Sequence, residues 1–255
     1  MVRRWRKGVK SYRILGINLI YEPKKEWLER VMSLLNNFNS KLSTIYTINT
    51  EFLAKAVENK EYRKILQESE INVIDGLPVS FLVFLNSGKF LRRICGSDFI
   101  YDLLKICEDN SKKILFLGGT EHRQRRAIEN VKKLYPKINV IGYSPAFPVP
   151  LNVKDDFELH KLIETEKPQV LVVCFGTSKQ EEWINTNKYF LEENGVKLAT
   201  GMGGVVDFIS GEVKRAPRFF RICGMEWLWR CLLEPFRIKR YIRSVLVLIK
   251  YAIWR

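Results

Sequence analysis

Five short β-branched runs in this 255-residue chain end in glycines or in small polar and acidic side chains. The run 43–48 leads into Thr47-Ile48-Asn49-Thr50-Glu51, 71–74 into Asp75-Gly76, and 114–117 into Gly118-Gly119-Thr120. The run 170–175 leads into Gly176-Thr177-Ser178-Lys179-Gln180-Glu181. The run 196–200 leads into Gly201-Met202-Gly203-Gly204, with Asp207 shortly after. Glycines at such ends let backbone approach a ligand, and the helix starts that follow favour anions. One loop of this kind carries little weight, but five on one rim of a sheet indicate a nucleotide or sugar-nucleotide site. A carboxylate at such a strand end, here Asp75, is a candidate catalytic group. Asp-Gly is equally a common turn, Asn or Thr before a helix a common cap, and Gly118-Gly119 a plausible tight turn.

Absent motifs narrow the chemistry. No G-x-G-x-x-G and no G-x-x-x-x-G-K-[ST] occurs, which argues against a dinucleotide oxidoreductase and removes the P-loop reading. No Asp-x-Asp occurs, so a pyrophosphate would need cationic side chains to neutralise it. Arg230, Arg237, Arg240 and Arg243 near the C-terminus are the candidates, with Arg237 and Arg240 spaced to share a helical face. The alternative is that these arginines touch lipid headgroups only.

The elements that must position these groups follow from periodicity. Strands are expected at 43–48, 71–74, 114–117, 139–142, 170–175 and 196–200. Between them, Trp27, Val31 and Leu34/Leu35 mark one helix. Ile100, Leu103/Leu104 and Cys107 mark a second, and Ile128, Val131 and Leu134 a third. Alternating strands and helices predict an α/β, Rossmann-like fold, a mostly parallel sheet flanked by helices that binds ligands at the carboxyl ends of its strands. Near residue 212 the chain turns basic, aromatic and apolar. We therefore expect a core over 1–212, with 1–13 as a basic N-terminal segment, and a C-terminal helical appendage over 213–255. Within it, Ile238 to Trp254 is amphipathic, with Ile238, Tyr241/Ile242, Val245, Leu248/Ile249 and Ala252 as its apolar stripe. Such a helix fits a membrane interface, or packs on its own core or on a second subunit, so a homo-oligomer stays open.

Charge agrees with that division. The net charge is +15, and residues 1–13 carry six basic groups and no acid. Residues 213–255 carry eleven basic groups against Glu226 and Glu234, which leaves 14–212 neutral. An anionic membrane would be met by the ends and not the body. With no nucleic-acid motif either, a nucleic-acid-binding protein is disfavoured. Five cysteines without C-x-x-C, and two histidines, point to a reducing compartment and offer little to a zinc site. The run Ile14–Tyr21, interrupted by Asn18, makes no convincing signal peptide, so a cytoplasmic location is expected.

These residues, in this order, resemble the WecG/TagA/CpsF family of bacterial glycosyltransferases. The match rests on Thr47-x-Asn49-x-Glu51, Asp75-Gly76, Arg93-x-x-Gly96-x-Asp98, Phe116-x-Gly118-Gly119, Gly176-x-x-Lys179-Gln180-Glu181 and Gly201-x-Gly203-Gly204 with Asp207-Phe208 and Gly211. It continues through Lys214-Arg215-Ala216-Pro217, Gly224-x-Glu226-Trp227, Arg230, Glu234-Pro235-x-Arg237 and Arg240-Tyr241, and covers roughly 14–242. One departure is Ser178, where the family usually has proline.

The resemblance implies an inverting, metal-independent transferase without a cofactor, peripheral at the inner face of the cell membrane. It would move an N-acetylmannosamine-type sugar, ManNAc or its uronic acid ManNAcA, from a UDP donor to an undecaprenyl-diphosphate-linked GlcNAc. The product would serve teichoic acid or surface polysaccharide synthesis, and another UDP-hexose is the alternative donor. The resemblance makes Asp75 the base and has Thr47 and Asn49 position the sugars. Arg93 would contact acceptor or sugar, and Gln180 and Asp207 would hold the donor. The Gly118, Gly119 and Gly203 loops would line it, while Arg230, Arg237 and Arg240 bind pyrophosphate and stabilise departing UDP.

Overall fold

A computed structural model describes residues 10–36, 41–88, 93–222 and 224–253. The first nine residues of the basic N-terminal segment, Cys223 and the terminal Trp254 lie outside them. The strands are β1 (Lys10–Ile14), β2 (Ile17–Tyr21), β3 (Ser43–Ile48), β4 (Ile71–Ile74), β5 (Lys113–Leu117), β6 (Asn139–Tyr143), β7 (Val170–Val173) and β8 (Leu198–Gly201). The helices are α1 (Lys24–Asn36), α2 (Thr50–Glu58), α3 (Lys60–Glu68), α4 (Leu77–Ser87), α5 (Gly96–Asp109), α6 (Glu121–Leu134) and α7 (Phe157–Glu166). They continue with α8 (Lys179–Thr186), α9 (Lys188–Glu193), α10 (Val205–Ile209), α11 (Arg218–Ile222), α12 (Glu226–Leu233) and α13 (Arg237–Ile253).

The strands form one mostly parallel sheet in the order β1-β2-β4-β3-β8-β7-β5-β6, as the alternation of strands and helices predicts. All four residues of β7 are inaccessible to solvent, which is why the strand reads as an unbroken apolar run. The six expected strands are present, with ends shifted by at most two residues.

The hairpin β1–β2 is an addition that the sequence reading did not contain. Lys10 to Ile14 pair antiparallel with Tyr21 to Ile17. The two-residue turn puts Leu15 at φ 54° and Gly16 at φ 77°, the primed geometry that matches strand twist. Leucine is a poor advertisement for that turn. It is held there by Gln67, whose Nε2 donates to the Leu15 carbonyl at 2.7 Å.

The chain divides into two compact units. The first comprises Met1–Val31, Tyr46–Cys95 and Arg218–Arg255, and the second Met32–Ile45 and Gly96–Pro217. In the first, the C-terminal appendage is helical and α13 packs on α2. The expected apolar stripe of α13 splits into two faces. Of its residues Leu248 is buried and Tyr241 and Val245 half-buried, whereas Ile238, Ile242 and Ile249 are exposed; outside the stripe, Ser244 joins the buried face and Leu246 the exposed one. Among the described residues no helix is long and apolar enough to cross a membrane.

In the second unit, Ile100, Leu103, Leu104 and Cys107 of α5 are buried as their spacing predicts. On α6 the buried face is Gln124, Ala127 and Val131, while Leu134 is exposed. Gln124 is there because its Nε2 donates to the carbonyls of Phe116 and Gly118, at 3.0 and 2.6 Å. It thereby ties α6 to the carboxyl end of β5.

Candidate functional site

Of the five loops at strand ends, those at 47–51 and 75–76 lie in the first unit and the other three in the second. In the first unit, Thr47 is buried near the end of β3. Asn49 caps α2, its Oδ1 accepting from the N–H groups of Glu51 and Phe52 at 2.9 and 3.3 Å. The cap leaves the Asn49 amide nitrogen for other work. The Asp75 N–H donates to Ile48 O at 2.9 Å, so the candidate base stands beside the Thr47–Asn49 strand end. The Ile94 N–H donates to Ile74 O at 2.8 Å, which lays Arg93 along the same edge. Asp75 and Arg93 are both half-buried.

The appendage reaches this edge through Gly224. Its φ is 69°, and a Cβ there would collide with the Leu77 side chain and lie 3.1 Å from Arg93 Nη1. Glycine is required on both counts. The Cys95 thiol donates to Glu226 Oε2 at 3.1 Å and fixes the start of α12. Trp227 and Tyr241 stack with ring centroids 4.0 Å apart, joining α12 to α13.

Arg230, Arg237, Arg240 and Arg243 each have a carboxylate partner. Arg240 Nε donates to Glu51 Oε1 at 2.9 Å, and Arg243 Nη2 to Glu58 Oε1 at 3.0 Å. Glu234 Oε2 accepts from Arg237 Nε at 2.5 Å and lies 3.4 Å from Arg230 Nε. The Arg230 side chain is only 12% exposed, so its charge is poorly screened. Burial raises the Cys231 thiol pKa, and that thiol also feels the charges of Arg237, Glu51 and Arg240. Thr47, Asn49, Asp75 and Arg93 thus share one edge. Arg240 meets it two residues past the Asn49 cap, and Arg230 and Arg237 are joined by Glu234.

In the second unit, three glycine-bearing loops are in mutual contact. A Cβ at Gly118 (φ 116°) would lie 2.9 Å from the Cys174 carbonyl oxygen. One at Gly203 would lie 2.8 Å from Gly176 Cα, and one at Gly119 3.0 Å from Val206 Cγ1. Larger residues would force the loops apart, so steric need, beyond turn chemistry, explains these glycines. Gln180 is buried, and its Oε1 accepts from the Gly176 N–H at 3.2 Å, bracing the loop from within. Ser178 has φ 72° and donates its N–H to Glu181 Oε2 at 2.7 Å. A proline, with φ fixed near −65° and no N–H, could make neither arrangement.

Asp207 on α10 accepts from Arg123 Nη1 at 2.8 Å. Arg123 Nε donates to Glu212 Oε2 at 2.6 Å, and His122 Nδ1 lies 2.8 Å from Glu212 Oε1. The hydrogen bond to Glu212 raises the Arg123 pKa, and the same bond lowers that of Glu212. Arg123 and Glu212 escaped the sequence reading. Within the run Arg123-Gln124-Arg125-Arg126 nothing distinguishes the first arginine from solvent-facing neighbours. Burial pushes the thiols of Cys107 and Cys174 up to about 12, so both stay protonated, as small buried hydrophobes do.

A mostly parallel sheet flanked by helices, with glycines and polar side chains at the carboxyl ends of its strands, makes this an α/β protein of the Rossmann-like class. Residues 12–255 match the glycosyl transferase WecG/TagA/CpsF family, and the chain belongs to that family of glycosyltransferases. It is 32% identical over 235 residues to the N-acetylglucosaminyldiphosphoundecaprenol N-acetyl-beta-D-mannosaminyltransferase of Bacillus spizizenii, covering 86% of this chain and 88% of that one. A relative of the same name from Bacillus subtilis is 28% identical over 83% of this chain and 78% of its own length. One from Staphylococcus aureus is 28% identical over 89% of this chain and 86% of its own.

Proposed function

We propose that the protein transfers an N-acetylmannosamine-type sugar from a UDP donor to undecaprenyl-diphosphate-linked GlcNAc, with inversion and without a metal, in teichoic acid or surface polysaccharide synthesis. The observation that carries this reading is the near full-length similarity to relatives bearing that transferase name. The acceptor hydroxyl loses its proton to Asp75 as its oxygen attacks the anomeric carbon from the face opposite UDP. The bond from that carbon to the UDP oxygen breaks, and UDP leaves with the electron pair. Thr47 and Asn49 orient the sugars and Arg93 contacts acceptor or sugar. The loops at Gly118-Gly119 and Gly203, with Gln180 and Asp207, hold the donor. Arg230, Arg237 and Arg240 neutralise the pyrophosphate charge that grows as UDP departs.

The half-buried Asp75, at a strand end beside Arg93, supports its role as base. The exposed Ile238, Ile242, Leu246 and Ile249, on a helix that also exposes Lys239, Arg243 and Lys250, support docking at an anionic inner membrane face. The test is Asp75→Asn, which keeps the shape and cannot take the proton. Turnover of UDP-ManNAc with a lipid-diphosphate GlcNAc acceptor is expected to fall by about 10²-fold or more, with UDP affinity unchanged. Near-wild-type turnover would reduce Asp75 to a turn residue.

A further inference from the structure

The charged cluster around Arg123 is outside every motif that carries the family resemblance, yet it is built around one residue of that set. Asp207 sits on α10, a helix of only five residues. Its backbone is secured, because its carbonyl accepts from the Val213 N–H at 3.2 Å and from Ser210 Oγ at 2.9 Å. Its carboxylate needs separate restraint, since the side chain is partly exposed and has two free torsions. Arg123 supplies that restraint from the first turn of α6, immediately after Gly118-Gly119-Thr120. One guanidinium nitrogen takes Asp207 Oδ1 and another takes Glu212 Oε2. The planar fork therefore cannot turn without breaking a bond. Glu212 is steadied in turn by His122. Among the described residues, Asp207 Oδ2 has no hydrogen-bond partner. The close approach of Gly119 to Val206 keeps the first turn of α6 within reach of α10.

We propose that Arg123, braced by Glu212, is a positioning residue for Asp207. It holds Oδ1 so that Oδ2 is presented in one orientation to a hydroxyl or N–H of the nucleotide donor. Arg123 lies between two carboxylates, and the trio keeps a net negative charge suited to accepting from the ligand. The role rests on the reading of Asp207 as a donor-binding residue.

Calorimetry of UDP with the full-length chain separates the two. Asp207→Asn is expected to weaken UDP binding about tenfold or more, the size of one charge-assisted hydrogen bond. Arg123→Gln should weaken it at least about fivefold on the same scale, and Arg123→Lys, which keeps the charge and loses the two-armed fork, should recover only part of the loss. The double variant Arg123→Gln/Asp207→Asn should bind no worse than Asp207→Asn, because one residue acts through the other. In turnover, Arg123→Gln should raise the donor KM and leave kcat at saturating donor little changed. Wild-type affinity in Arg123→Gln beside a weakened Asp207→Asn overturns the positioning role and spares the reading of Asp207. Additive losses in the double variant overturn it as well. An unimpaired Asp207→Asn overturns the donor reading of Asp207 and the positioning role with it, and failure of the wild type to bind UDP overturns the proposed function.

Discussion

Replacing Ile242 and Leu246 by glutamine tests whether the exposed face of α13 meets a bilayer. The two side chains are 51% and 52% exposed, so about half of each remains to be withdrawn from water. Full burial of such a side chain is worth ~1.5–3 kcal/mol, so each half contributes ~0.7–1.5 and the pair ~1.5–3 kcal/mol. That corresponds to roughly 10- to 150-fold in partitioning to vesicles. Glutamine is a good helix former, and neither residue is buried against the protein, so folding stability should change by less than ~0.5 kcal/mol per site. The assay is co-sedimentation with vesicles rich in anionic lipid, beside thermal melts of the same samples. Leu248→Ala is the contrast. That side chain is 6% exposed on the face that packs on α2, so its loss should cost ~2–5 kcal/mol of stability. Unchanged vesicle binding by Ile242→Gln/Leu246→Gln would show that this face does not enter the interface. A fall in melting temperature as large as that of Leu248→Ala would show that the two residues are packed.

Two further outcomes are expected. Turnover should persist in excess EDTA, because arginines take the place of a metal in the proposed reaction; complete loss restored by magnesium or manganese would refute that. Gly118→Ala should lower stability by roughly 2–4 kcal/mol in urea titration, combining left-handed backbone strain with a Cβ forced toward the Cys174 carbonyl; a loss below the scatter of the titration would mean that the loop yields.

The class of fold was open to reading from periodicity alone. Val170–Val173 is a continuous apolar run, and Ile71–Ile74 is broken only by the buried Asn72, because both faces of these strands are covered, and burial of that kind is a property of composition along the chain. The residues of the candidate site were likewise visible as types at strand ends, since a loop must leave a parallel strand at its carboxyl end whatever the rest of the chain does. Partnerships were another matter. Nothing near Leu15 announces a primed turn, because its support comes from Gln67, fifty-two residues away. Arg123 looks like one of several cations on a surface helix until α10 and the turn after it bring Asp207 and Glu212 against it. The apolar stripe of α13 reads as one face in helical projection. Packing against α2 divides it, hiding Leu248 and leaving Ile242 and Ile249 in water. Backbone periodicity is a local property, set by neighbours three or four places along the chain. Which side chain faces which charge, and which apolar atom finds a partner, depends on segments far apart in sequence, and only the tertiary structure brings those together.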